Sequence, residues 1–314
     1  MIQNIQFLSS DSSNTIKGKI WKTDCSEIRG IIQVVHGMVE HIDRYDRFAT
    51  EMSKQGYLVV GHDHLGHGYS VRSKDDYGFF GEKGGDEYLI RDIHQLRKKI
   101  EKEYPNIPYF LLGFSMGSFL VRRYLIEYPK ENLAGAVIMG TGKHCYLESA
   151  MGVALTRYLK KIKGHRYISP FVDYLVIGNL QRNIKNRKTE SDWLTTKEEE
   201  VEKYRQNPMC NFTFTVSAYH DLFETLRILE KPNNLRRMNK DIPIILMSGA
   251  EDPVGARGKA VLKLKKQYES LGIKQLECRL YEKARHELFN EYNREQVIED
   301  LVHWIEKNRK NSQI

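Results

Sequence analysis

Hydrophobic and polar positions change their period several times along the chain, and each change marks an element. Residues 3–8 and 15–22 alternate and face each other across Asp11-Ser12-Ser13-Asn14, which predicts a two-stranded opening. Ile31-Ile32-Gln33-Val34-Val35, Tyr57-Leu58-Val59-Val60, Tyr109-Phe110-Leu111-Leu112 and Ala134 to Met139 are short, nearly continuous apolar runs of the kind that fill the middle of a sheet. Between them the period lengthens. Tyr45, Phe48, Ala49 and Met52, then Leu89, Ile93, Leu96 and Ile100, recur at three and four residues and predict helices, the second ended by Pro105. A further helix is expected from Met116 to Tyr128. After Pro243 the alternation resumes with a strand at Ile244 to Met247, a helix over 257–271 and a strand from Leu276 to Tyr281. A last helix carries Val297, Ile298, Leu301, Val302 and Ile305 on one face. Strands alternating with helices predict an α/β fold with a mostly parallel, doubly wound sheet.

The alternation is interrupted once. Residues 141–235 contain no convincing strand, and their clearest signal is the helical stripe Val216, Tyr219, Phe223 and Leu226. A stretch of roughly 95 residues is too long for an ordinary connection. The expectation is a core of residues 1–140 and 236–314, with residues 141–235 inserted after the sixth strand as a helical cap over the sheet edge where ligands bind.

Charge sharpens this picture. The chain has 49 Lys and Arg against 41 Asp and Glu, a net charge of +8. The stretch 151–188 holds nine basic residues (Arg157, Lys160, Lys161, Lys163, Arg166, Arg182, Lys185, Arg187 and Lys188) and one acid, Asp173, so it carries the whole excess. A nucleic-acid binder usually carries its charge on the fold itself, so no nucleic-acid partner is expected. The segment is read either as a solvated cap surface or as a face for transient contact with an anionic membrane. Leu155, Tyr158, Phe171, Tyr174, Leu175, Val176 and Ile177 are interleaved with it. Most are expected to pack the cap onto the core, and a few to line an acyl pocket. No apolar run approaches the ~20 residues of a membrane span. Residues 1–10 lack the basic start and apolar stretch of a secretory signal. Cys25, Cys145, Cys210 and Cys278 are scattered, which argues against a disulfide framework or zinc ribbon and fits a reducing cytoplasm.

Gly113-Phe114-Ser115-Met116-Gly117 lies between a predicted strand and a predicted helix, the context of a nucleophile elbow. Such a turn leaves no room for flanking side chains, lifts the Ser hydroxyl clear, and sets the helix N-terminus beside a developing oxyanion. A nucleophilic Ser needs a base, and the base needs an orienting acid. His286 follows the last strand and Asp252 the strand before it, so all three fall at one sheet edge, with Glu251 as the rival acid. Asp252 is preferred because Pro253 fixes a turn able to present it inward. His36-Gly37-Met38 ends the first central strand, where the Met38 amide is placed to share the oxyanion with the Met116 amide; His36 is expected to fix that loop. His62, Asp63, His64 and His67 fall within six residues, but their spacing matches no zinc pattern, and no metal site is expected there.

These motifs resemble the monoacylglycerol lipase and lysophospholipase-like α/β-hydrolases, grouped with the S33 serine aminopeptidase type. The resemblance is carried by His36-Gly37-Met38-Val39-Glu40-His41 with Arg44-Tyr45, by 61–70 (GHDHLGHGYS), by the Ser115 elbow, by Glu251-Asp252-Pro253-Val254 and by Arg285-His286-Glu287. It implies an α/β-hydrolase fold, a Ser115–Asp252–His286 triad, an oxyanion hole from the Met38 and Met116 amides, no cofactor, and a structural role for residues 61–70. Phe114 stands where many members have His, which is expected to alter packing below the elbow. The expected activity is hydrolysis of carboxylic esters, either of single-chain lipids such as monoacylglycerols and lysophospholipids or of short-chain esters. An aminopeptidase would need acids to hold a substrate amine; the basic stretch 151–188 supplies the opposite charge, although the cap does contain Glu198-Glu199-Glu200. A silent fold used for ligand binding is the remaining alternative.

Overall fold

The computed structural model of the chain describes residues 1–182, 184 and 187–311. Eight strands form one sheet: β1 (Ile2–Leu8), β2 (Thr15–Trp21), β3 (Gly30–Val35), β4 (Tyr57–His62), β5 (Tyr109–Phe114), β6 (Gly135–Met139), β7 (Ile244–Gly249) and β8 (Leu276–Tyr281). Their order across the sheet is β1-β2-β4-β3-β5-β6-β7-β8. The β1–β2 and β2–β4 pairs are antiparallel, and every other pair is parallel. This is the doubly wound sheet that the alternating periods predict.

The continuous apolar runs are explained by burial on both faces. Successive side chains of a strand point to opposite sides. Ile31, Val35, Leu111, Ile138 and Leu246 therefore join one apolar cluster, while Ile32, Val34, Leu112, Val137 and Met247 join another. Helices cover both. Helix α1 (Asp46–Lys54) supplies Phe48 and Met52 to the second cluster, and the C-terminal helix, Arg294–Asn311, adds Val297, Leu301, Trp304 and Ile305. The first cluster is closed by α2 (Gly85–Glu103) and α3 (Met116–Glu127), and by the helix Lys259–Ser270 through Val261 and Leu264.

Between β6 and β7 the described residues contain helices and no strand: α4 (Tyr146–Lys163), α5 (Pro170–Asp173), α6 (Glu198–Gln206), α7 (Val216–Leu229) and α8 (Pro232–Leu235). Helices α4 and α7 pack together, with Gly152 seated against the Phe223 ring, and α7 also packs on α2 and α3. The interleaved apolar residues meet expectation only in part: Leu155 and Val176 pack against the first cluster, and Tyr174, Val176 and Ile177 line a cavity. Leu155 is half-buried, but Tyr158, Phe171, Tyr174 and Leu175 are exposed, joined by Leu147, Met151, Ile162 and Ile168. One face of α4 is already filled by α7, and among the described residues nothing covers side chains on its other face. Lys185 of the basic stretch lies outside the described residues. Among the described residues no helix is long and apolar enough to cross a membrane.

Candidate active site

The carboxyl ends of the parallel strands share one edge, and β3, β5, β7 and β8 each deliver residues to it. At the end of β5 the chain reverses into α3 through Ser115. Its backbone (φ 53°, ψ −120°) is a conformation that costs an L-residue on the order of 1–3 kcal/mol. The flanking glycines are sterically required. A Cβ on Gly113 would lie 2.4 Å from the Gly117 carbonyl oxygen, and one on Gly117 would lie 1.9 Å from that of Val35. Met116 opens α3, where backbone N–H groups have no carbonyl of their own helix to bond.

Strand β3 lies beside β5, so its terminal loop meets the elbow. The His64 amide donates to His36 Nε2 (3.1 Å), which leaves the proton on Nδ1, and Nδ1–H donates to the Gly37 carbonyl (2.8 Å). That peptide is trans, so the Met38 N–H points away from His36. Among the described residues neither the Met38 nor the Met116 amide finds an acceptor.

His286 has farther to travel. It follows β8, three strands from β5, or about 14 Å at ordinary strand spacing. Its loop folds back over the sheet edge, and Gly140 at the end of β6 clears the way, since a Cβ there would lie 3.0 Å from His286 Cε1 and from Phe114. His286 Nδ1–H donates to Asp252 Oδ2 at 2.9 Å. Asp252 is fully buried, accepting also from the Val254 amide (2.8 Å) and the Ser248 hydroxyl (3.2 Å). Glu251 is exposed, and among the described residues its amide alone is engaged, with the Ala284 carbonyl. Among the described residues His286 Nε2 has no hydrogen-bond partner, although the side chain is 1% exposed. Phe114 does more than pack below the elbow. Its ring lies 4.7 Å from the His286 ring and lines the same cavity.

That cavity, about 900 Å³, is lined by Met38, Ser115, Met116 and His286 from the sheet edge and by Phe119, Leu222, Leu226 and Val254 around them. Val176, Ile177, Trp193 and Leu194 line it from the stretch between β6 and β7. Glu198, Glu199 and Glu200 open α6 and are not among its lining residues. Cys210 does line it, but burial pushes its thiol up to about 12, so it is no rival nucleophile.

A buried charge cluster, whose contacts the sequence does not show, ties the loop after β3 to the loop after β8. Arg44 donates two hydrogen bonds to Glu287 (2.7 and 2.8 Å) and one to Glu40 (2.7 Å), and Glu40 accepts from the Gly37 amide at 2.5 Å. Burial raises both carboxyls. At Glu287 the bidentate Arg44 outweighs it and holds the group below its usual range, whereas at Glu40 burial wins. The sequence signal was faint, because Arg44 and Glu287 are 243 residues apart.

The histidine-rich loop is scaffolding. Asp63 accepts from the Ile42 (2.7 Å) and Tyr69 (2.9 Å) amides, and His67 Nε2 from Val39 (3.3 Å). Among the described residues no group of three His, Cys, Asp or Glu is arranged to hold a metal ion.

The pattern of the family described as serine aminopeptidase, S33, matches residues 26–293. The chain belongs to that family. Its relatives include a monoglyceride lipase of Rattus norvegicus, 25% identical over 96% of this chain and 90% of the relative. A monoacylglycerol lipase of Mycolicibacterium smegmatis is 24% identical over 91% of each. Among solved structures, a highly thermostable carboxyl esterase from Bacillus coagulans, in complex with glycerol, superposes with a TM-score of 0.90. It is 26% identical, covering 98% of this chain and 99% of the esterase. The S33 chain described here has the α/β-hydrolase fold and is a carboxylic ester hydrolase.

Proposed function

We propose that the chain hydrolyses esters through a Ser115–His286–Asp252 triad, with the Met38 and Met116 amides as oxyanion hole. The observation that carries this reading is the Asp252–His286 hydrogen bond, which leaves Nε2 without a partner among the described residues, in the cavity that also holds the elbow serine. Ser115 Oγ attacks the ester carbonyl as His286 Nε2 takes its proton, and the two amides receive the charge on the carbonyl oxygen. Asp252 holds the tautomer and stabilises the imidazolium. His286 returns the proton to the departing alcohol, then activates the water that cleaves the acyl-enzyme.

The proposed substrates are single-chain lipid esters, monoacylglycerols or lysophospholipids, or short-chain esters. The size of the cavity and the apolar Phe119, Leu222 and Leu226 support an acyl chain, as do the names of the relatives. Residues 141–235 act in this reading as the cap that closes the cavity. Their exposed apolar and basic face would rest on an anionic lipid surface.

A fluorophosphonate probe tests the nucleophile. Ser115→Ala is expected to abolish labelling, leave the melting temperature unchanged, and lower ester turnover by about 10⁴-fold. A folded variant that keeps a tenth of the activity overturns the assignment. Cleavage of peptide p-nitroanilides in preference to esters would favour the aminopeptidase reading instead.

A further inference from the structure

We propose that Trp193 is a positioning residue for His286, fixing the imidazole for its general-acid step and walling the side of the cavity where the alcohol departs. The proposal rests on the triad reading above. The Trp193 and His286 rings lie 5.0 Å apart at 42°. Asp252 holds Nδ1, and Trp193 joins Phe114, at 4.7 Å, as the second aromatic ring against the imidazole. One hydrogen bond at Nδ1 leaves a ring free to swing about that bond; ring contacts restrain the swing.

The Trp193 contact is held in register by the backbone. Residues 192 and 194 flank Trp193, residues 285 and 287 flank His286, and hydrogen bonds join flank to flank. Arg285 donates to the Asp192 carbonyl (2.6 Å) and to that of Thr195 (3.2 Å), and the Glu287 amide donates to the Leu194 carbonyl (2.7 Å). The Thr195 hydroxyl donates to the Asn290 carbonyl (2.9 Å), and the Thr196 amide to Glu291 (3.0 Å). A strap of the segment between β6 and β7 is thus clamped along the loop that carries the base. Its side chains also suit an alcohol, because Glu190 and Ser191, next to Trp193, line the same cavity.

Nε2 has two tasks in acylation. It takes the Ser115 proton, and it gives a proton to the leaving oxygen. An alkyl alcohol cannot depart without that proton, whereas p-nitrophenolate can. Loss of positioning therefore harms an alkyl ester more than an aryl ester, while general structural damage harms both alike.

The experiment compares Trp193→Ala and Trp193→Phe with the wild type on glycerol monobutyrate and p-nitrophenyl butyrate, which share an acyl group. The readout is kcat/KM, which covers the steps up to alcohol release. Trp193→Ala is expected to lose about 30-fold or more on the glyceryl ester and only about 3-fold on the aryl ester, within the range of misplaced general acid–base groups. Trp193→Phe should recover most of the difference. Equal losses on the two esters, or no loss on the glyceryl ester, overturn the proposal. If Trp193→Ala fails to fold, Trp193→Leu, which keeps apolar bulk without a ring, carries the same comparison. Fluorophosphonate labelling of the wild type and its absence in Ser115→Ala separate the two readings: failure there removes the triad, while failure of the ester comparison alone removes Trp193.

Discussion

Asp252 and Glu251 are neighbours in the chain and end in opposite surroundings. One is fully buried behind His286, the other exposed to water. Only a buried carboxylate with its lone pairs already committed can hold an imidazole in one tautomer. Asp252→Asn is therefore expected to lower turnover by about 10³–10⁴-fold, while Glu251→Gln, a surface change, stays within about twofold. Steady-state rates on one soluble ester, with melting curves to confirm folding, check this. Equal small losses would place the orienting acid elsewhere. Both acids and their order were legible from Ser248-Gly249-Ala250-Glu251-Asp252-Pro253. The pairing of Arg44 with Glu287 and the roles of Gly140 and Trp193 were not, because each owes its place to a partner far away in the chain.

At the scale of the element, the histidines at the ends of β3 and β4 trade charge for burial. His36, His62, His64 and His67 pack ring against ring, 4.1 Å apart at the closest, and all are fully buried. Burial above all lowers each: His62 to about 3, His67 to about 4, and His36 and His64 well below the ordinary 6.5. Unfolded, these rings take up protons once the pH falls below about 6.5; folded, they do not. Their stabilisation is thus present above about 6.5 and is lost as pH falls towards 4. Asp63 works the other way, since burial pushes it up to about 7, but the histidines outnumber it. The melting temperature is expected to drop steadily from pH 7 to pH 4.5. His62→Leu should flatten that drop by about one proton, or about 1.4 kcal/mol per pH unit, because among the described residues neither His62 ring nitrogen has a partner to lose. An unchanged slope in the variant would show that His62 titrates normally. Hydrogen bonds of His36, Asp63 and His67 with backbone amides tie the two loops together.

For the whole molecule, the basic excess sits beside exposed Ile162, Ile168 and Phe171. Not every cation there is available to a lipid. Arg166 bonds Asp76 and stacks 3.9 Å from the Phe79 ring, and Lys160 is half-buried and interacts with Asp221. Lys161 and Lys163 are exposed, so Lys161→Glu with Lys163→Glu is the cleaner reversal. If this face meets anionic lipid, sedimentation with phosphatidylserine vesicles at low salt should weaken by at least about 30-fold, from about 1 kcal/mol per basic residue. Wild-type binding should fade with salt, as screening shortens the reach of charge to about 8 Å. Hydrolysis of a small soluble ester should be unaffected. Absence of wild-type binding at low salt would leave the segment a solvated surface.

Periodicity and local turn chemistry belong to neighbouring residues, which is why the sequence alone determined the eight strands, the Ser115 elbow and the order Ser, Asp, His. Contacts between distant segments have no local signature. The tertiary structure alone decided how His286 crosses three strands over Gly140, how Arg44 joins the loop after β3 to Glu287, and how Trp193 meets the imidazole. It also decided which apolar residues of 151–188 face water, since α7 occupies one side of α4 and nothing among the described residues covers the rest. Burial depends on what arrives from elsewhere in the chain, and a one-dimensional pattern records only the tendency to seek it.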